Sequence, residues 1–427
     1  MSTKQASKLT RRQQTQFSEG YEHAERLLCQ CTTTDGFIAS LSEHDNYRRI
    51  WARDGVIIGL AGLLSGNDEL IHGFRQTLLT LARHQGPHGE IPSNVDPASQ
   101  RISFGGTTGR VDADLWFIIG CAEFWQATGD EEFLKDMLPV LEKTRYLLGA
   151  WEFNNRGLLY VPQAGDWADE YLHTGYVLYD QLLYLQAQRS LLSLHEFIHG
   201  SRDHDLYDKL IRLKHLIQAN YWFHNSDGVP DDVYHDVLYK KGHEASPYCG
   251  GEYWMPFFSP TGYGYRFDSF ANVLASLLDV ASDSQRERVD SYIASIIDPE
   301  LPLLPAFHPV IQPVDEDWKH LQMTFSFTFK NKPYEFQNGG LWPMISGFYV
   351  ADLAKRKKTQ QAIKHLQAIH QANKMSMHEQ DWSFAEFIHG QTRQPGGTQY
   401  QAWSAAAALI GAAALENKKV FRINDQQ

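Results

Sequence analysis

Apolar residues along this chain recur with a helical period, and two kinds of helical segment alternate. The first kind is apolar on every face and rich in Ala, Gly, Leu and Ile, as in Trp403-Ser-Ala-Ala-Ala-Ala-Leu-Ile-Gly-Ala-Ala-Ala-Leu415. The second carries charged and amide side chains along one face, as in 358–375, KTQQAIKHLQAIHQANKM. A helix that is apolar all round lies buried, whereas an amphipathic one covers the outside. The pattern predicts helices over 13–32, 53–65, 67–85, 112–128, 130–152, 172–199, 203–223, 268–282, 283–297, 338–357, 358–375 and 398–417. Those starting at 53, 112, 172, 268, 338 and 398 are the apolar ones. Six buried and six covering helices in alternation predict an all-α fold, an (α/α)6 barrel of two concentric rings.

The breaks between helices are unequal. Turns from a buried helix to its covering partner are short and fall at glycines such as Gly66 and Gly129, and Gly200 closes the sixth segment. Connections back to the next buried helix are long: 86–111, 153–171, 224–267, 298–337 and 376–397. Long loops in a compact domain are usually functional. These gather at one end, the N-terminal ends of the buried helices, so that end is expected to carry a site. A short β-hairpin is expected around 157–161.

Composition narrows the picture. Of the 427 residues 43 % are hydrophobic, enough for one large core, and no linker divides the chain. The expected organisation is a single barrel over 1–427, with a polar segment at 1–12. A net charge of -12 argues against a nucleic-acid partner. The polar start lacks an apolar signal core, and no apolar run nears the ~20 residues that span a bilayer, so the expectation is a cytoplasmic protein without membrane association. Cys29, Cys31, Cys121 and Cys249 make neither a disulfide framework nor a zinc site. No cofactor is expected, and a homo-oligomer is left open.

Chemistry concentrates in the loops. Tyr47-Arg-Arg-Ile-Trp-Ala-Arg-Asp54 precedes the first buried helix, with Trp51, Arg53 and Asp54. Gly105-Gly-Thr-Thr-Gly-Arg-Val-Asp-Ala-Asp114 leads into the second, with Asp112, Asp114 and then Trp116. Ala164-Gly-Asp-Trp-Ala-Asp-Glu170 precedes the third, with Asp166, Trp167, Asp169 and Glu170. Tyr263-Gly-Tyr-Arg-Phe-Asp268 precedes the fourth, and Tyr334-Glu-Phe-Gln-Asn-Gly-Gly340 the fifth, with Glu335, Gln337 and then Trp342. Trp382, Glu386, Tyr400, Gln401 and Trp403 precede or open the sixth. A single Asp at a helix start, such as Asp54, Asp112 or Asp268, reads as an N-cap. Carboxylates together with Trp and Arg read as a sugar site, because pyranose faces bury well on flat rings. Cleaving a glycoside needs two carboxyl groups flanking the bond, one to protonate the leaving oxygen and one to activate water or attack. Asp54, Asp112, Asp114, Asp166, Asp169, Glu170, Asp268, Glu335 and Glu386 all qualify, and spacing does not choose among them.

Arg110-Val-Asp-Ala-Asp-Leu-Trp-Phe117, Gly339-Gly-Leu-Trp-Pro343 and Trp382-Ser-Phe-Ala-Glu-Phe-Ile-His-Gly390, followed by Tyr400-Gln-Ala-Trp403, resemble the alkaline/neutral invertase family. The resemblance runs in the same order over about 47–410 and extends to related (α/α)6-barrel glucosidases. It implies a glycoside hydrolase with an inverting mechanism, in which Asp112 is the acid and Glu386 the base. It also implies that Arg53, Asp54 and Trp342 shape the sugar pocket. Trp51, Trp167 and Trp403 are expected to border that pocket with Trp342, and Asp114, Asp166, Glu170, Gln337 and Tyr400 to complete it. Glu386 is expected to sit in a wetter place or near a cation such as Arg53, and Asp112 in a more buried one. Thr398 stands near where the family carries an Arg, and the third loop matches loosely, so the substrate is less defined than the fold. Sucrose leads; glucosylglycerate, trehalose or a glycerol-like glucoside are the alternatives.

Nineteen histidines invite a metal or an epimerase reading. His365 and His370 stand five apart, roughly 140° around a helix, and read as two solvated side chains rather than metal ligands. Gly105-Gly106, Gly250-Gly251 and Gly396-Gly397 lack the lysine and strand setting of a phosphate loop. A sugar epimerase or isomerase on a similar barrel would use paired mouth histidines, for which His44, His173 and His389 are the candidates. A non-catalytic sugar-binding protein is disfavoured by the surplus of carboxylates.

Overall fold

A computed structural model describes residues 11–43, 46–223, 228–246, 251–324, 328–377 and 381–423. His44, His378, Cys249, Gly250 and most of the polar segment 1–12 lie outside the described residues.

Fourteen helices are described. Six form an inner ring: α2 (Ala52–Ser65), α4 (Val111–Thr128), α6 (Leu178–His199), α9 (Ser269–Leu277), α12 (Pro343–Lys355) and α14 (Ala402–Leu415). Each packs on the next, and α14 packs back on α2, so the ring closes. Their composition makes this possible. All residues from Ala52 to Leu64 are buried, as are all from Val111 to Trp125. Small residues allow close approach: a Cβ on Gly347 of α12 would lie 2.7 Å from the Ala407 backbone of α14. Outside lie α1 (Arg11–Gln30), α3 (Asp68–Arg83), α5 (Glu131–Ala150), α7 (His204–Tyr221), α10 (Asp283–Ile296) and α13 (Thr359–Lys374). Helices α2 and α4 end on left-handed Gly66 and Gly129, which lets the covering helix follow at once.

Two short helices, α8 (Asp236–Ala245) and α11 (Asp317–Gln322), occupy long loops where none is expected. The third and fifth inner helices begin later than their apolar pattern suggests. Residues 176–177 form a strand before α6, and Leu341 bridges Ile388 before α12. Around 157–161 there is no hairpin; Val161 instead bridges Gly175.

The long loops are stitched into a collar by hydrogen bonds from the starts of the inner helices. Ala52 N donates to Ser93 O, Val111 N to Gly165 O, Leu178 N to Pro256 O and Ser269 N to Ala306 O. Leu341 N donates to Ile388 O, and Ala402 N to Ala39 O, which closes the circle. Amides left without partners at helix starts are thereby satisfied by the next sector's loop. Short antiparallel pairings reinforce the collar, including β1 (Ile50–Trp51) with β2 (Asn94–Val95) and β3 (Phe387–Ile388) with β4 (Pro395–Gly396). No described helix is long and apolar enough to cross a membrane.

His365 and His370 are buried, against the expectation of a solvated face. Helix α1 covers that face of α13: Phe17 lies 5.4 Å from the His370 ring, and Gly20 leaves room for it. His365 Nδ1 lies 2.6 Å from Pro302 O.

Candidate active site

The inner helices point their N-termini at the collar, and that end of a helix favours negative charge. Asp54, Asp112, Asp114 and Asp180 lie in first turns there, and Asp268 caps α9 by accepting from Ala271 N at 3.0 Å. Asp54 and Asp112 are not caps. Trp51 and Arg110 occupy those positions, with no side-chain cap bond. Both carboxylates are therefore free for other work.

Asp112 is buried, and its Oδ2 accepts from Arg53 Nη1 at 2.8 Å and from the Tyr179 hydroxyl at 3.3 Å. Trp116 Nε1 donates to that hydroxyl at 2.8 Å and fixes its direction. Burial raises the Asp112 pKa, Arg53 opposes the rise, and the neighbouring Asp166 adds to it. Arg53 also lies 3.7 Å from Asp54 and 5.7 Å from the centre of the Trp403 ring. Burial lifts Asp54 to about 6 against the pull of Arg53.

Glu386 comes from the loop before α14. Tyr47 donates to its Oε1 at 2.9 Å, and Thr398 N to its Oε2 at 3.1 Å. Gly397, at φ 73°, passes so close that a Cβ there would sit 2.4 Å from Oε2. Glu386 is buried, against the expectation of a wetter site, and burial raises its pKa. Its supporting cation is Lys330 rather than Arg53, which is engaged by Asp112. The Thr398 amide and the Tyr47 hydroxyl also favour its ionised form, while Asp54 opposes it.

The remaining candidates divide. Trp167, Trp342 and Trp403 are buried, with Trp342 edge-on to both others at 5.5 Å. They form a packed aromatic floor rather than open platforms; Trp51 is only half-buried. Asp114 turns inward, accepting from Ile91 N at 2.8 Å, and anchors a loop. Asp166 accepts from Ala168 N at 2.9 Å and lies 3.4 Å from His173 Nδ1. Gln337 Nε2 donates to Trp167 O at 3.2 Å and to Asp169 Oδ1 at 3.4 Å. Tyr400 takes a left-handed φ of 55° beside the loop that carries Glu386. Glu170 lies 3.4 Å from Lys330, and burial lifts its pKa to about 7. Trp167 Nε1, Glu170 Oε2 and Gln337 Oε1 are buried without hydrogen-bond partners among the described residues.

Four residues of this neighbourhood escape the sequence pattern as site residues: Tyr47, Arg110, Tyr179 and Lys330. Arg110 pairs with Asp169. Tyr47 and Arg110 do stand inside the quoted motifs; Tyr179 and Lys330 lie in no motif. No cluster of three or more His, Cys, Asp or Glu able to hold a metal is found among the described residues. A groove of about 1090 Å3 beside α1 and α13, lined by Glu19, Lys364, His370 and Trp382, contains none of the candidate catalytic carboxylates.

The closed double ring and collar define an (α/α)6 barrel with buried carboxylates gathered at one end. Within that class the chain resembles the alkaline and neutral invertases, whose family profile matches residues 231–418. The rice (Oryza sativa subsp. japonica) chloroplastic neutral/alkaline invertase 3 is 24 % identical over 461 residues, covering 94 % of this chain and 74 % of the relative. Among solved structures, a bacterial glucoamylase complexed with acarbose aligns with TM-score 0.67 at 14 % identity, over 95 % of this chain. This chain spans only 56 % of that glucoamylase. A mannosylglycerate hydrolase from Thermus thermophilus aligns with TM-score 0.61 at 13 % identity, over 92 % of this chain and 99 % of its own.

Proposed function

We propose that this protein hydrolyses a small glucoside, sucrose first among the candidates, with inversion, using Asp112 as general acid and Glu386 as general base. The observation that carries the reading is the contrast between two buried carboxylates at one mouth. Asp112 sits on the aromatic, carboxylate-rich side, where burial raises its pKa against the pull of the Arg53 guanidinium 2.8 Å away and Asp166 adds to the rise. Glu386 is held by two donors and a lysine, which favour the ionised form a base needs. Unpartnered Trp167 Nε1, Glu170 Oε2 and Gln337 Oε1 suit a ligand dense in hydroxyls. Inversion calls for roughly 6.5–9.5 Å between the carboxyl groups, with room for a water.

Charge bears on the leaving group. Asp169, Glu170 and Glu386 face Lys330 together, and an anionic aglycone such as glycerate would meet that excess. A neutral leaving sugar is favoured. The epimerase alternative loses ground: His173 is buried against Asp166, and His389 Nδ1 accepts from Gln391 N and Thr392 N. Free Cys29, Cys31 and Cys121 suit a reducing, cytoplasmic location.

The test is glucose release by the purified chain from sucrose, trehalose, glucosylglycerate and a panel of α- and β-glucosides. Sucrose should be the best substrate, and NMR of the first-formed anomer should show inversion. Sugar proton exchange without glucose release from any of them would sink the hydrolase mechanism.

A further inference from the structure

Lys330 reaches the mouth from the long segment between α10 and α12, outside every motif. Its neighbours fix the backbone there. Asn331 Nδ2 donates to Glu170 O at 2.6 Å, and Thr324 Oγ1 donates to the same oxygen at 3.1 Å. Asn338 N donates to Asn331 Oδ1 at 3.1 Å, which ties the segment to the start of the fifth inner sector. The ammonium then lies 3.4 Å from Glu170 Oε1 and 5.2 Å from the centre of the Phe336 ring. Phe336 packs on Phe387, the residue next to Glu386. Lys330 is thus a half-buried point charge paired with Glu170 and set, through Phe336 and Phe387, beside the loop that carries Glu386. For Glu170 it is the one ion-pair partner among the described residues, whereas Asp169 has Arg110.

We propose that Lys330 is the positioning residue that keeps Glu386 ionised, and that Glu170 competes for the same ammonium and so limits that support. The inference rests on Glu386 being the base. A buried carboxylate reverts to its neutral form unless donors or a cation hold the charge. Tyr47 and the Thr398 amide supply donors, Asp54 opposes ionisation, and Arg53 is committed to Asp112 and Asp54. Lys330 is left to supply the charge.

The two variants must act in opposite directions. In the full chain labelled with carboxyl-13C glutamate, the Glu386 resonance is assigned by its loss in Glu386→Gln and followed through a pH titration. Lys330→Met should raise the Glu386 midpoint by roughly one unit, as expected for losing a nearby opposite charge. Glu170→Gln should lower it, and Lys330→Arg should restore it. The acid limb of kcat/KM on α-glucosyl fluoride should move with the resonance. Lys330→Gln serves as a second neutral variant should the Met chain misfold. An unmoved midpoint in both neutral variants, or shifts of the same sign for Lys330 and Glu170, overturns the inference. Failure of the base assignment reads separately: Glu386→Gln would then turn over substrate as the parent does, wherever the resonance lies.

Discussion

Asp112 and Glu386 are equally hidden from water, so burial alone gives them no distinct roles; the proposed roles rest on Asp166 beside Asp112 and on the donors and lysine around Glu386. On the proposed mechanism Asp112→Asn removes the proton donor, and cleavage of a sugar with a poor leaving group should fall by ~10²–10⁴. Much of the activity on α-glucosyl fluoride should remain, because fluoride departs with little protonation. Glu386→Gln should abolish both. Equal losses on both substrates for Asp112→Asn would show that Asp112 does more than donate a proton. Gly397 offers a sharper probe. Alanine there meets both a left-handed backbone and Glu386 Oε2 at 2.4 Å. Gly397→Ala should lower kcat at least tenfold (about 1.4 kcal/mol in the barrier) while Tm moves by only a few degrees. A fully active Gly397→Ala chain would mean that the base tolerates displacement. At this scale the sequence showed the carboxylates but not what sustains them. Tyr47 and Glu386 are 339 positions apart, and Lys330 has a role only through Glu170 and Glu386. Contacts of that range leave no periodic trace in a chain. Burial of Trp167 and Trp342 was equally hidden, since a loop Trp beside Gly and Asp looks the same whether it is a floor or a platform.

For the elements, periodicity was a good guide where the physics is local. All twelve ring helices lie near their expected positions, because an inner helix must be apolar all round and an outer one on a single face. Errors fall where a short buried strand runs into a helix, as with Tyr176–Val177 before α6. An apolar run of that length has no period that separates strand from helix. Helices α8 and α11, of 10 and 6 residues, are too short to announce themselves. Glycines inside the inner helices are explained by packing, not by turns. A Cβ on Gly347 of α12 would lie 2.7 Å from Ala407, and the glycine's loss of helix propensity is the cost of that close approach. Gly347→Ala should therefore destabilise, by about 1–3 kcal/mol from overpacking, despite alanine's better propensity. Thermal unfolding checks the sign: a higher Tm would mean that α12 and α14 can move apart freely.

At the scale of the molecule, the pH dependence of stability sets two groups of buried residues against each other. Asp54 and Asp268 are raised to about 6 and Glu123 to about 7, chiefly by burial. A carboxyl raised in the fold holds its proton longer there than in the unfolded chain. Its stability is full below the unfolded pKa, near 4, and is lost as pH rises through 6–7. His365 and His370 act in the opposite sense. Both are lowered to about 4 by burial, so the unfolded chain takes up their protons first as pH falls below about 6.5. Their contribution declines from there down to about 4. His370 has no partner for either ring nitrogen among the described residues and is sealed by α1, so protonation must loosen that helix. His370→Leu keeps the volume and removes the titration. Between pH 7 and 4.5 the parent should lose about 2–3 kcal/mol relative to this variant, on top of whatever both chains gain from their carboxyls. Denaturant midpoints of the two chains, measured side by side at each pH, isolate the term because the carboxyl contribution is common to both. Parallel curves would mean that His370 is reached by water in the folded state and that α1 is not the seal the packing implies.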